Sequence, residues 1–180
     1  MLGQSTVLET SSVEPITLVE AKSHLKVDFS DDDVLIGTLI SAARTHCEAY
    51  LGFALIEQTR RVTYDCFGPF TMSGPLTTMT SVKYMNSEGV LTTIDPSLYQ
   101  YTSGRTLQVF PAVNTAWPTD IAPQPGAVVI EYVCGDETPK NVKTAMLLLL
   151  TSWYEDRSDN VRRYPTTSRK LLDLEREPIF

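Results

Sequence analysis

The spacing of apolar residues changes twice along the chain. Before residue 52 and after residue 139 they recur every three or four positions; between 55 and 134 they alternate with polar ones. The first fourteen residues, rich in Ser, Thr and Glu, offer little to bury and read as a flexible N-terminal arm, 1–14. Thr17-Leu18-Val19-Glu20 has the form of a capping box, in which the threonine oxygen takes the Glu20 amide and the glutamate reaches back. It predicts a helix over 17–25 with Leu18, Ala21 and Leu25 on one side. Ser30 and the run Asp31-Asp32-Asp33 open a second helix, 31–51, because carboxylates favour the positive end of a helix dipole. Ile36, Ile40, Ala43, Cys47 and Tyr50 form its apolar stripe, and Gly52 ends it.

Residues 55–134 predict a β-rich segment. Val62, Tyr64 and Cys66 alternate with polar neighbours; Val82 and Tyr84 lead into the turn Asn86-Ser87-Glu88-Gly89, and Val90, Thr92 and Ile94 return as a hairpin. Leu107 with Val109, and Val128, Ile130, Tyr132 and Cys134, mark two further strands. The proline-rich loop between them is expected either to bind or to pack through Trp117. Pro139 then starts a third helix, 139–154. Val142, Ala145, Met146, Leu149 and Trp153 share one face, while Leu147, Leu148 and Leu150 make the helix apolar nearly all round. Such a helix is buried on most sides, either in a core or between subunits. It needs more partners than one small domain supplies, so Met146, Leu147, Leu150 and Trp153 are expected at a subunit interface. Together these elements predict an α+β fold. N-terminal and C-terminal helices form a small bundle within one domain, 15–154, with a β-rich insertion at 55–134 and an extended C-terminal tail at 155–180.

Charge refines the picture. The 180 residues carry a net −7. Residues 1–54 hold three basic and eight acidic side chains, residues 55–138 four and eight, and residues 139–180 eight and six. An acidic body is a poor grip for phosphate backbones, which need clustered Lys and Arg. The tail differs: five cations lie between Arg157 and Lys170 against one carboxylate, Asp159, and large apolar residues follow. Arg162, Arg163, Tyr164, Arg169, Lys170, Leu171, Leu172, Leu174 and Phe180 therefore read as a docking segment that orders on a partner. The other reading of the basic run 157–170 is a DNA-binding accessory or packaging factor.

Candidate chemistry is sparse. Neither His24 nor His46 belongs to a nucleophile motif, and adjacent His46 and Cys47 point about 100° apart on a helix. The aspartate run lacks the alternation, glycine and distal glutamate of a calcium loop. No zinc spacing or phosphate loop occurs. The three cysteines are odd in number and widely spaced, which fits a reducing compartment. The longest apolar run, Ala145–Leu150, is far below the roughly twenty residues of a membrane span, and no signal peptide is expected. The expectation is a non-enzyme without metal, cofactor or membrane contact.

The block Pro15-Ile16-Thr17-Leu18-Val19-Glu20-Ala21-Lys22-Ser23-His24-Leu25-Lys26-Val27-Asp28 resembles the start of the head–tail connector (adaptor) proteins of long-tailed bacteriophages. So do Asp31-Asp32-Asp33-Val34-Leu35-Ile36, Ala42-Ala43-Arg44 and Glu48-Ala49-Tyr50-Leu51-Gly52. Pro75-Leu76, Ser81-Val82, Asp95-Pro96-Ser97-Leu98-Tyr99, Trp117-Pro118 and Pro125-Gly126-Ala127-Val128 look like the β-rich middle of the longer members, and Leu147 to Arg157 like their penultimate helix. The resemblance implies a homo-oligomeric ring, usually of about twelve copies, under the portal protein at the capsid vertex. It also implies a tail-proximal stopper or tail-completion partner, a channel through which DNA passes unbound, and a C-terminal segment that reaches into the portal. The expected location is the virion head–tail junction, with assembly in the bacterial host cytoplasm.

Overall fold

The computed structural model describes residues 3–104, 106–135, 138–156 and 166–176. The chain divides into two compact units, Met1–Ser11 with Glu57–Asp136 and Ser12–Ile56 with Glu137–Phe180.

The second unit is helical: α1 (Leu18–Leu25), α2 (Asp33–Leu51), α3 (Lys140–Glu155) and α4 (Thr167–Asp173). The capping box at the start of α1 forms in full. The Thr17 amide donates to Glu20 Oε2 at 2.8 Å, and the Glu20 amide donates to Thr17 Oγ1 at 3.2 Å. That pairing holds the Glu20 carboxyl below the ordinary glutamate range. At α2 the predicted start shifts by two residues. Ser30 accepts the Asp33 amide through its carbonyl in a preceding turn, so Asp32 becomes the cap residue. Pro139 is likewise the residue before α3 rather than the first within it. The stripe residues Ile36, Ile40, Ala43 and Cys47 are buried, and meet Ala21 of α1, Val142, Ala145, Met146 and Leu150 of α3, and Leu172 of α4 in one core. The chain leaving α2 is tied back where Glu48 Oε1 accepts the Leu55 amide at 2.9 Å. Arg44 bonds both Glu48 and Glu14, each at 2.8 Å.

The first unit is all β: β1 (Gln4–Thr10), β2 (Gln58–Tyr64), β3 (Phe70–Ser73), β4 (Leu76–Met85), β5 (Leu91–Thr93), β6 (Tyr99–Tyr101), β7 (Thr106–Pro111) and β8 (Val128–Cys134). Five strands form one sheet in the order β1-β2-β8-β4-β5, and three form another, β3-β7-β6; neighbours run antiparallel throughout. The central strand β8 keeps the predicted alternation, burying Val128, Ile130, Tyr132 and Cys134. The β4–β5 hairpin closes on Gly89, whose φ of 78° is the left-handed conformation that glycine adopts without strain. The proline-rich loop packs through Trp117, which stacks on Phe67 with centroids 5.0 Å apart.

Three further expectations change. Residues 4–10, read as part of a flexible arm, form β1, paired with β2 from Gln4↔Thr63 to Thr10↔Gln58. Backbone pairing holds this strand although every one of its side chains is exposed. Cys66 lies past the end of β2 and is exposed. The tail is not extended throughout, since α4 lies within it.

Candidate assembly interfaces

Side chains with reactive potential are engaged structurally. Asp32 accepts from the Tyr154 hydroxyl at 2.5 Å, which joins the start of α2 to the end of α3. Asp33 pairs with Lys22 of α1 at 2.6 Å. The aspartate run therefore ties three helices together, and among the described residues no three His, Cys, Asp or Glu side chains gather as metal ligands. His46 meets the edge of Trp153, with ring centroids 5.9 Å apart. Burial pushes the Cys47 thiol up to about 12, so at neutral pH it stays protonated and non-nucleophilic. On the five-stranded sheet, Arg61 Nε and Nη2 donate to Glu131 Oε1 at 2.9 and 2.6 Å. Lys83 donates to Oε2 at 3.1 Å and Ser81 at 3.2 Å. The Arg61 bond, with that from Lys83, holds this carboxyl below the ordinary glutamate range against the opposing effect of burial.

The subunit-interface residues expected on α3 separate into two kinds. Met146 and Leu150 are fully buried within their own helical unit and have no surface to offer another copy. The apolar girth of α3 is met by α1, α2 and α4 of the same chain, a partner set that helical periodicity does not reveal. Leu147 and Trp153 pack against that core but stay half-exposed.

The expected docking residues also divide. Thr166 caps α4 by accepting the Arg169 amide, and α4 lies on its own bundle rather than awaiting a partner. Leu172 is 2% exposed and belongs to the core, so its reading as a docking residue is corrected. Leu171 is half-buried against the same core, whereas Leu174 is 72% exposed. Arg169 and Lys170 are exposed. Arg162, Arg163, Tyr164 and Phe180 lie outside the described residues.

Tyr50, a member of the α2 stripe, is the anchor of α4. Its hydroxyl donates to Asp173 and accepts from Arg169 Nε at 3.3 Å, and the guanidinium groups of Arg169 and Arg176 lie 5.5 and 5.4 Å from its ring centre. Asn141 of α3 adds a bond to Glu175 at 2.9 Å. The signal that could have shown this is Thr166, a good cap three residues before Arg169 and ahead of two adjacent leucines.

The folded chain is similar to solved chains of gene transfer agent particles. A chain from the neck of an empty particle computed with C6 symmetry has 19% identity and a TM-score of 0.78, covering 97% of both chains. One from the virion of a native particle has 19% identity and a TM-score of 0.79, covering 98% of this chain and 96% of that one. One from the neck of a native particle computed with C12 symmetry has 20% identity and a TM-score of 0.73, covering 97% of both. No curated protein matches the chain. The family model for the head completion protein matches residues 14–165, well over half the sequence and both structural units. The chain belongs to the head completion protein family, and is a structural head–tail connector protein rather than an enzyme.

Proposed function

We propose that copies of this chain form a ring under the portal of a phage-like particle, extend the DNA channel and carry the tail-proximal stopper or tail-completion protein. Family membership is the observation that carries this reading. Likeness over nearly the whole chain to neck proteins resolved with C6 and C12 symmetry supports a multi-copy arrangement. The net charge of −7 suits a conduit, because each retained phosphate contact would resist DNA movement. Leu147 and Trp153 serve contacts between copies. Leu171 and Leu174 face the portal, with Arg169 and Lys170 at the edge of that surface, and the segments holding Arg162, Arg163, Tyr164 and Phe180 continue that contact. Assembly takes place in the host cytoplasm, before tails join.

Light scattering with negative-stain imaging of the purified chain, alone and with portal-bearing heads, tests this. The expected result is a ring with a central opening on the heads, and heads made without the chain should fail to join tails. Absence of any ring in both settings overturns the reading. So does salt-dependent binding of duplex DNA near physiological ionic strength, which belongs to a DNA-gripping protein.

A further inference from the structure

The helical unit carries two surface features at opposite ends of α2. At the C-terminal end, α4 leaves a cleft of about 360 Å3 whose lining includes His46, Tyr50, Leu149, Ser168, Arg169 and Leu172. Leu149, half-buried, gives it an apolar floor, while Leu172 is sealed in the core. Arg169 gives it a cationic rim, with Lys170 next to it in sequence and Arg176 also against the Tyr50 ring. These three cations outnumber the carboxylates of Asp173, which bonds the Tyr50 hydroxyl, and Glu175, which bonds Asn141. At the N-terminal end, the corner between α1 and α2 holds large apolar side chains in water: Phe29 is 50% and Val34 84% exposed. Asp28 and Asp31 flank Phe29, both exposed and neither in an ion pair among the described residues. The nearest cations in sequence do not neutralise the corner, since Lys22 is committed to Asp33 and only Lys26 is left against two carboxylates.

We infer that the Phe29 corner of one copy seats in the α4 cleft of a second copy, with Asp28 and Asp31 facing Arg169 and Lys170. An apolar side chain between two carboxylates matches an apolar floor with a cationic rim, and the match has the same sign as the wider charge division. Residues 1–54 carry eight acidic against three basic groups, and residues 139–180 six against eight. One chain cannot satisfy the match by itself. From Asp33, where α2 starts, to Tyr50 is seventeen residues, roughly 26 Å at 1.5 Å per residue, and Asp31 lies before that start. Each copy therefore offers one corner and one cleft, a head-to-tail contact that repeats from copy to copy and closes where the rotation allows. This inference rests on the multi-copy reading above and adds a second contact between copies beside that of Leu147 and Trp153.

Charge reversal in the full-length chain tests the contact. Asp31→Arg and Arg169→Glu, each alone, should raise the concentration of half-assembly by about tenfold or more in analytical ultracentrifugation, because each sets like charges face to face. The double variant should recover most of the loss, and that recovery separates a broken contact from a broken fold. Lys170→Glu gives a second reversal that does not touch the Arg169 bond to Tyr50. A photo-crosslinking residue in place of Phe29 should attach to peptides around His46–Tyr50 or 166–173 of another copy. Assemblies that ignore the reversals, or crosslinks that fall elsewhere, overturn this contact and leave the ring reading standing. A chain that is monomeric at every concentration also overturns it, and the ring reading is then decided by the portal-bearing heads alone.

Discussion

Leu172 and Leu174 lie two positions apart, yet one is sealed in the core and the other is in water. Leu172→Ala should cost about 2–5 kcal/mol, the usual range for emptying a buried leucine site. Leu174→Ala should stay within about 0.5 kcal/mol. Urea unfolding of the two variants measures the contrast, and equal effects would mean that α4 is not docked as described. The cysteines make a second residue-scale prediction. Cys66 is exposed while Cys47 and Cys134 are buried, so a thiol reagent should label one site quickly in the native chain and three after unfolding. Glu131 makes a third. Its folded-state carboxyl is held below the ordinary value of 4.5, so the stability it supplies is present above that pH and is lost as pH falls through the lower folded value. Glu131→Gln should flatten this part of the acid limb of a stability–pH curve; an unchanged limb would show that the Arg61 and Lys83 bonds do not hold in solution.

At the scale of elements, β1 and α4 are the instructive cases. Removing residues 1–10 should leave cooperative unfolding intact, because β1 contributes backbone bonds but buries none of its side chains. The shortened chain should aggregate more readily, since β2 with Val62 and Tyr64 then becomes the open edge. Loss of cooperative melting on this truncation would show that β1 carries more of the fold than its exposure indicates. The same pair marks where sequence reading stops. Helices α1, α2 and α3 are legible because periodicity, a capping box and an aspartate-rich start coincide; β8 and the β4–β5 hairpin are legible because alternation is strict. β1 and β3 are short or polar and lack a sequence-local signal, because what orders them is a distant strand; β6 pairs with the next strand, and its three residues are too few for alternation to show. The misread residues share one cause. Met146, Leu150 and Leu172 all need cover, but an apolar helix face or an apolar cluster in a tail does not state which chain covers it.

For the whole molecule, the division into two units predicts two thermal transitions in calorimetry. Leu150→Ala should lower the one that belongs to the helical unit, and Ile130→Ala the other, since each residue is fully buried in its own unit. A single transition moved equally by both would mean that the units melt as one. The division also has a temporal side. The helical unit is built from residues 12–56 and 137–180, so its two halves leave the ribosome far apart. Between the end of α2 at Leu51 and the start of α3 at Lys140 lie 88 residues, which at 5–20 residues per second take roughly 4–18 s to synthesise. During that interval the stripe Ile36, Ile40, Ala43 and Cys47 has no α3 to cover it, while β2 through β8 emerge and can pair. The β unit thus has the opportunity to fold first, and the nascent chain's exposure to aggregation is governed by how long one apolar face of α2 must wait for its partner.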